Sequence, residues 1–301
     1  MFDAHCDTLL KIMNKGDLLE NSFDVSFKKL LSYDKPCQIF AVFNNGNFFV
    51  KDILKLINTL KEETQNSGVA KFCVKYEDIK NNPKKISALA SIEGVGNTPD
   101  LETDDLKKFY DAGVRILSIT WNNDNFLCGG IENNNRGITL NGIKFLEEMQ
   151  KLNMVLDLSH ISDTGFYQCV EYKNLNICAT HSNSRKICDD KRNLTDEQFK
   201  IIVKRGGVAG LNTYPPFVTG EKSANVHKLI SHIEHFFSLG GEKNVCLGAD
   251  FDGISFYMSD IDSCDKMYIL ADELAKINYT DLQIRGVLCE NLMNFYEKMN
   301  F

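Results

Sequence analysis

The chain has 301 residues, of which 43% are apolar and 25% charged, a composition that excludes disordered, collagen-like and membrane-embedded proteins. Its 34 basic against 41 acidic residues leave a net charge of −7 without a long run of either sign, which argues against nucleic acid as a partner because phosphate binding needs a basic face. A chain this long hides about three quarters of its unfolded surface, so it needs no disulfide or structural metal to fold.

β-rich runs recur along the sequence at 2–9, 37–43, 86–92, 114–121, 154–160, 177–182, 207–212 and 245–251. Between them lie amphipathic stretches with apolar residues at three and four spacing, among them 50–60, 101–111, 142–152, 196–205 and 226–239. Eight strand–helix units predict parallel strands closed into one cylinder with helices outside, an α/β fold of the (β/α)8 TIM-barrel type over residues 1–301. Thr195 before Asp196 and Thr280 before Asp281 read as helix N-caps, and 280–298 reads as a closing helix pair on the outside. The ten cysteines form no CxxC pair and predict reduced thiols of a cytoplasmic protein. Met1 to Asp7 carries polar residues too early for a signal peptide, and no run of 18 apolar residues predicts a membrane span.

The informative feature is where the polar residues fall. The first run carries His5 and Asp7, the third leads into Glu93, the fifth ends at His160, the sixth contains His181, and the eighth carries Asp250 and Asp252. In a parallel barrel these carboxyl ends converge on one face. Residues i and i+2 of a strand share a side, so His5 and Asp7 point together and Cys6 points into the helix layer. His160 and His181, ending neighbouring runs, suit zinc, and Glu93 can bridge the two half-sites, giving paired cations of the kind that clamp both atoms of a hydrolysed bond.

Each of these residues alone reads more readily as a hydrogen-bonded structural group. Together they carry more weight, because three of only six histidines sit at strand ends. His227, His232 and His235 fall in one amphipathic helix and read as solvent-face residues without HExxH spacing. The basic cluster Arg185, Lys186, Lys191 and Arg192 is short and suits a small anionic group.

Five blocks in unbroken order, Asp3-Ala4-His5-Cys6-Asp7-Thr8, Ser91-Ile92-Glu93-Gly94, Asp157-Leu158-Ser159-His160-Ile161-Ser162, Thr180-His181-Ser182-Asn183 and Gly248-Ala249-Asp250-Phe251-Asp252-Gly253, resemble the membrane (renal) dipeptidase family of zinc peptidases within the amidohydrolase-like barrels. The HxD of the first block favours this family over others on similar barrels. The resemblance implies two zinc ions per chain, one on His5 and Asp7, the other on His160 and His181, with Glu93 between them. It implies that Arg192 grips the C-terminal carboxylate of a dipeptide, that Asp250 is the acid/base group, that a hydroxide bridging the two metals is the nucleophile, and that the protein forms homodimers. Asp252 reads as structural. Mammalian members carry a histidine where this chain has Trp121, its only tryptophan, which makes Trp121 a candidate substrate-binding residue. The rival readings are a related metal hydrolase acting on a non-peptide amide, lactam or ester, and a catalytically silent barrel that binds without turnover.

Overall fold

Nine short strands alternate with helices along the chain in the computed structural model, which describes residues 1–13 and 16–301. They are β1 (Phe2–Cys6), β2 (Cys37–Phe43), β3 (Ala70–Phe72), β4 (Ile86–Glu93), β5 (Ile116–Leu117), β6 (Val155–Asp157), β7 (Asn176–Cys178), β8 (Ala209–Leu211) and β9 (Val245–Leu247). All pair in parallel, in the order β7-β6-β5-β4-β2-β1-β9-β8, and the Ala179–Ala209 bridge joins β7 to β8 to close the ring. The eight expected runs supply its eight staves. β3, which the sequence reading lacks, lies beside the first half of β4 (Ala70 opposite Ile86), while β5 takes the second half (Ser91 opposite Ile116).

Strands buried on both faces need apolar residues on both. Phe40, Val42, Ala90, Ile92 and Leu156 pack against the helix layer. Ile39, Leu89, Ile116, Val155 and Cys246 belong to a second cluster with Phe295 and Tyr296 of the C-terminal helix. Phe2 and Tyr296 pack with ring centroids 5.5 Å apart, so that helix stoppers the amino-terminal end of the barrel and leaves the carboxyl end for the site. No helix among the described residues is long and apolar enough to cross a membrane, and all ten cysteines are free thiols, nine of them buried.

Helices form where the spacing places them, with edges moved by capping chemistry. The helix Asp196–Arg205 starts at Thr195, whose Oγ1 accepts from Gln198 N while Gln198 Oε1 accepts from Thr195 N. The helix Val50–Ser67 runs seven residues past the expected 50–60 and stops at Gly68, which takes a left-handed φ of 68°.

Two expectations are corrected. The stretch 280–298 is not a helix pair but one helical run from Asp281 to Met299, interrupted by a π turn at Gly286–Glu290. There the Asn291 side chain turns to the carbonyls of Glu242 and Val245, at 2.9 and 2.8 Å. His232 is not on a solvent face. It is fully buried, with Nδ1 accepting from Ser184 N at 3.1 Å and Nε2 donating to Val218 O at 2.9 Å. The loops after β7 and β8 cover that side of the helix Val226–Ser238, so its buried stripe is wider than the apolar spacing implies. His235 meets Asp196 at 2.7 Å, and His227 stays exposed.

Candidate metal centre

Local backbone devices deliver each side chain to the barrel mouth. Between Asp3, opposite Gln38, and Cys6, opposite Phe40, β1 slips register, and a bulge of this kind re-aims side chains. The buried Asp3 carboxylate secures it by accepting from Gln38 Nε2 at 3.2 Å and Ala249 N at 2.9 Å. Asp7 N donates to Phe251 O at 2.9 Å and Asp250 N to His5 O at 3.2 Å, which laces the end of β1 to the loop after β9. His160, Asp250 and Asp252 all have left-handed φ, between 66° and 68°. Non-glycine residues there are strained and collect at functional sites.

The structure brings His5, Asp7, Glu93, His160, His181 and Asp250 together. Glu93 lies among the imidazoles: its Oε2 is 3.3 Å from His5 Nε2, and its Oε1 is 2.9 Å from His160 Nε2 and 3.8 Å from His181 Nε2. Asp7 Oδ1 and Asp250 Oδ1 each lie 3.8 Å from His5 Nε2. The rings of His5 and His181 are 3.9 Å apart, and those of His160 and His181 are 5.0 Å apart. Gly253 makes this crowding possible, because a Cβ there would sit 2.2 Å from Asp7 Oδ2 and 2.7 Å from Asp250 Oδ1.

The titrations follow from burial opposed by neighbours. Burial disfavours a charged His5, yet Glu93, Asp7 and Asp250 outweigh it and push His5 up to about 10. Burial and then Arg192 press His160 down to about 4, and burial with the His5 charge holds His181 well below the ordinary histidine range. Burial would raise Glu93, but His160 and His5 hold it below the usual carboxylate range. Burial raises Asp250 to about 6 against the pull of His5, Asn212 and Arg192.

The donor set fits divalent cations. His160 Nδ1 faces Asn122 Oδ1 at 2.8 Å, which puts the ring proton there and leaves Nε2 a bare lone pair. That lone pair faces His181 Nε2 at 2.9 Å as well as the Glu93 carboxylate, a convergence of acceptors that a cation satisfies. His5 Nε2 and Asp7 Oδ1 are buried without a hydrogen-bond partner. Two overlapping triads, His5 with Glu93 and His181, and His5 with Asp7 and Asp250, hold their ligand atoms within 4.8 Å of one another. Imidazole nitrogen and carboxylate oxygen are zinc donors.

A cavity of about 430 Å³ opens onto Asp7, Glu93, His160 and Asp250 and is walled by Phe43, Trp121, Tyr214 and Phe217. Trp121 packs edge-on against Phe43 at 5.0 Å. Arg192 is buried near the cavity wall, 5.7 Å from the Phe217 ring centroid, donating to Ser182 Oγ at 2.8 Å and His181 O at 3.0 Å, while its Nε has no partner. The expected basic cluster is dispersed: Arg185 grips Asp163 through two nitrogens and Lys191 pairs with Glu132. Asp252 accepts from Thr8 Oγ1 and from the backbone N–H of Asp24, anchoring the loop from behind. Sequence reading passed over Asn122 and Asn212, whose Nδ2 donates to Asp250 Oδ2 at 3.0 Å. Asn212 ends the seventh run, so the strand-end rule extended to amides finds it.

The sequence profile of the membrane dipeptidase family (Peptidase family M19) matches residues 1–300. An uncharacterized protein in the pqqA 5′ region of Klebsiella pneumoniae is 32% identical over 203 residues, covering 63% of this chain and 74% of that one. Dipeptidase 3 of Mus musculus is 28% identical over 231 residues, covering 73% of this chain and 46% of that one, so the chain spans about half the length of its mammalian relatives. A metallopeptidase from Rhodobacter sphaeroides, solved with a phosphinate mimic of the dipeptide L-Ala-D-Ala, shares the fold with a TM-score of 0.85 at 20% identity, over 99% of this chain and 98% of that one. With the profile matching end to end and a closed parallel barrel carrying its polar cluster at the carboxyl mouth, the chain belongs to the membrane dipeptidase family of metallo-dipeptidases.

Proposed function

We propose that the protein hydrolyses dipeptides with two zinc ions held at the barrel mouth, one by His5 and Asp7, the other by His160 and His181, with Glu93 shared. The observation that carries this reading is the gathering of three imidazoles and three carboxylates, with buried donor atoms left unpaired, from strands far apart in the chain. When bound, such a pair of cations brings the ionisation of a bridging water towards neutral pH, as hydroxide, and polarises the scissile carbonyl.

The chain's own residues divide the remaining work. Asp250, raised to about 6 and steadied by Asn212, takes the proton lost by the attacking water and returns it to the departing amine, a transfer worth about 10²–10⁴-fold. Arg192 has a buried guanidinium with an unpaired Nε, and its planar fork suits the terminal carboxylate of a short peptide. That anchor orients the scissile bond. Trp121 and Phe43 wall the cavity beside His160 and keep water from that side of the substrate.

The test is turnover of a dipeptide panel beside a β-lactam and an N-acyl amino acid, with zinc-loaded, chelated and zinc-restored protein. Dipeptide cleavage that is lost on chelation and regained with zinc is expected. Cleavage of the lactam or acyl compound alone would replace the peptide reading, and no turnover of any of them would favour the silent barrel.

A further inference from the structure

Behind His181 lies a buried chain of polar groups that the proposed chemistry does not use. Asp157, at the end of β6, accepts from Ser159 N at 3.0 Å and Thr180 N at 2.9 Å through Oδ1, and from the Thr180 hydroxyl through Oδ2. The same hydroxyl oxygen lies 2.7 Å from His181 Nδ1. Asp157 and Thr180 are both buried, so no solvent competes for these bonds. A hydroxyl has one proton to give, and a carboxylate oxygen can only receive it. With that O–H directed at Asp157 Oδ2, the Thr180 oxygen is left as an acceptor towards His181, and the His181 Nδ1 opposite it must carry hydrogen. The neutral ring then has its lone pair on Nε2, the nitrogen that faces His160 Nε2 and Glu93.

We infer that Asp157 and Thr180 are positioning residues that hold His181 in the Nδ1–H tautomer and aim its Nε2 at the metal site. Both are held by backbone as well as by side chain: the two Oδ1 bonds come from main-chain N–H groups on neighbouring turns, so the carboxylate cannot rotate away without breaking both. Such partners behind a ligand imidazole fix its orientation and raise its basicity. The crowding around Thr180 supports a fixed position, since Cβ atoms placed on Gly210 or Gly248 would each sit 1.8 Å from its carbonyl oxygen. The inference rests on the reading of His181 as a metal ligand.

The test uses the full chain labelled with 15N at histidine. Long-range proton–nitrogen spectra, with the His181 signals assigned by their loss in His181→Gln, are expected to show hydrogen on Nδ1 before and after zinc is added. Zinc competition against a chelator is expected to give a loss of about 10–100-fold in affinity for one of two equivalents in Thr180→Val, with Thr180→Ser restoring it. Asp157→Asn should move affinity in the same direction. A His181 proton on Nε2 in the zinc-free wild type overturns the inference, and that spectrum decides even where a variant does not fold. Unchanged zinc affinity and an unchanged spectrum in folded Thr180→Val also overturn it, whereas failure of the wild type to bind zinc would overturn the metal reading on which it stands.

Discussion

Asp250 shows how one side chain carries several constraints at once. Its left-handed φ of 66° turns it back over the barrel, Asn212 holds one oxygen, and burial raises it to about 6. Asp250→Asn is expected to lower kcat by about 10²–10⁴-fold with zinc content unchanged by metal analysis; full activity would remove Asp250 from the proton transfer. Because the ionised form accepts the proton, kcat/KM measured with zinc kept saturating should fall as pH drops through about 6, and that limb should vanish in the variant. Gly253→Ala should weaken zinc binding at least about tenfold, since its Cβ would strike the Asp7 and Asp250 carboxylates; zinc titration checks it. The clustered histidines and carboxylates were legible because strand ends converge. The Asn122 and Gly253 contacts were not, because an amide or a glycine gains its role from a neighbour that only the closed barrel supplies; Asn212 ends the seventh run and escapes a strand-end rule that counts only histidines and carboxylates.

Elements were legible where periodicity was strong and blurred where tertiary contacts decide. Runs such as 114–121 overreach, since only Ile116–Leu117 pairs as strand, with Val114 and Arg115 before it and residues 118–121 beyond its end. The burial of His232 depends on Ser184 and Val218, distant in sequence and beyond any pattern within its helix. Burial lowers His232 from its ordinary 6.5 to about 4. Between those values the unfolded chain binds the extra proton, so the stabilising contribution is full above about 6.5 and is lost as pH falls towards 4. Thermal melts across this range should show a drop in Tm that is smaller in His232→Gln. His232→Ala should cost about 1–3 kcal/mol by leaving buried backbone groups unpaired, as read by denaturant unfolding. At the other end of the barrel, Tyr296→Ala should cost about 3–5 kcal/mol while the folded fraction keeps its kcat, because the stopper lies away from the mouth.

At the scale of the whole molecule, eight staves bring residues 5, 93, 160, 181 and 250 into one cluster, and the cluster carries a conflict of charge that metal would resolve. Asp7, Glu93 and Asp250 crowd a single imidazole, His5, raised to about 10. Zinc has to displace that proton, so apparent affinity should rise with pH through neutrality, which competition titrations can follow. Since the folded chain alone holds the site, zinc should also raise Tm, by the equivalent of about 4 kcal/mol at a thousandfold excess over Kd. The most direct test of the central claim is anomalous diffraction at the zinc edge from crystals of the zinc-loaded protein. Two peaks are predicted, one among His5, Asp7 and Glu93 and the other among Glu93, His160 and His181; a single peak, or peaks away from Glu93, would contradict it.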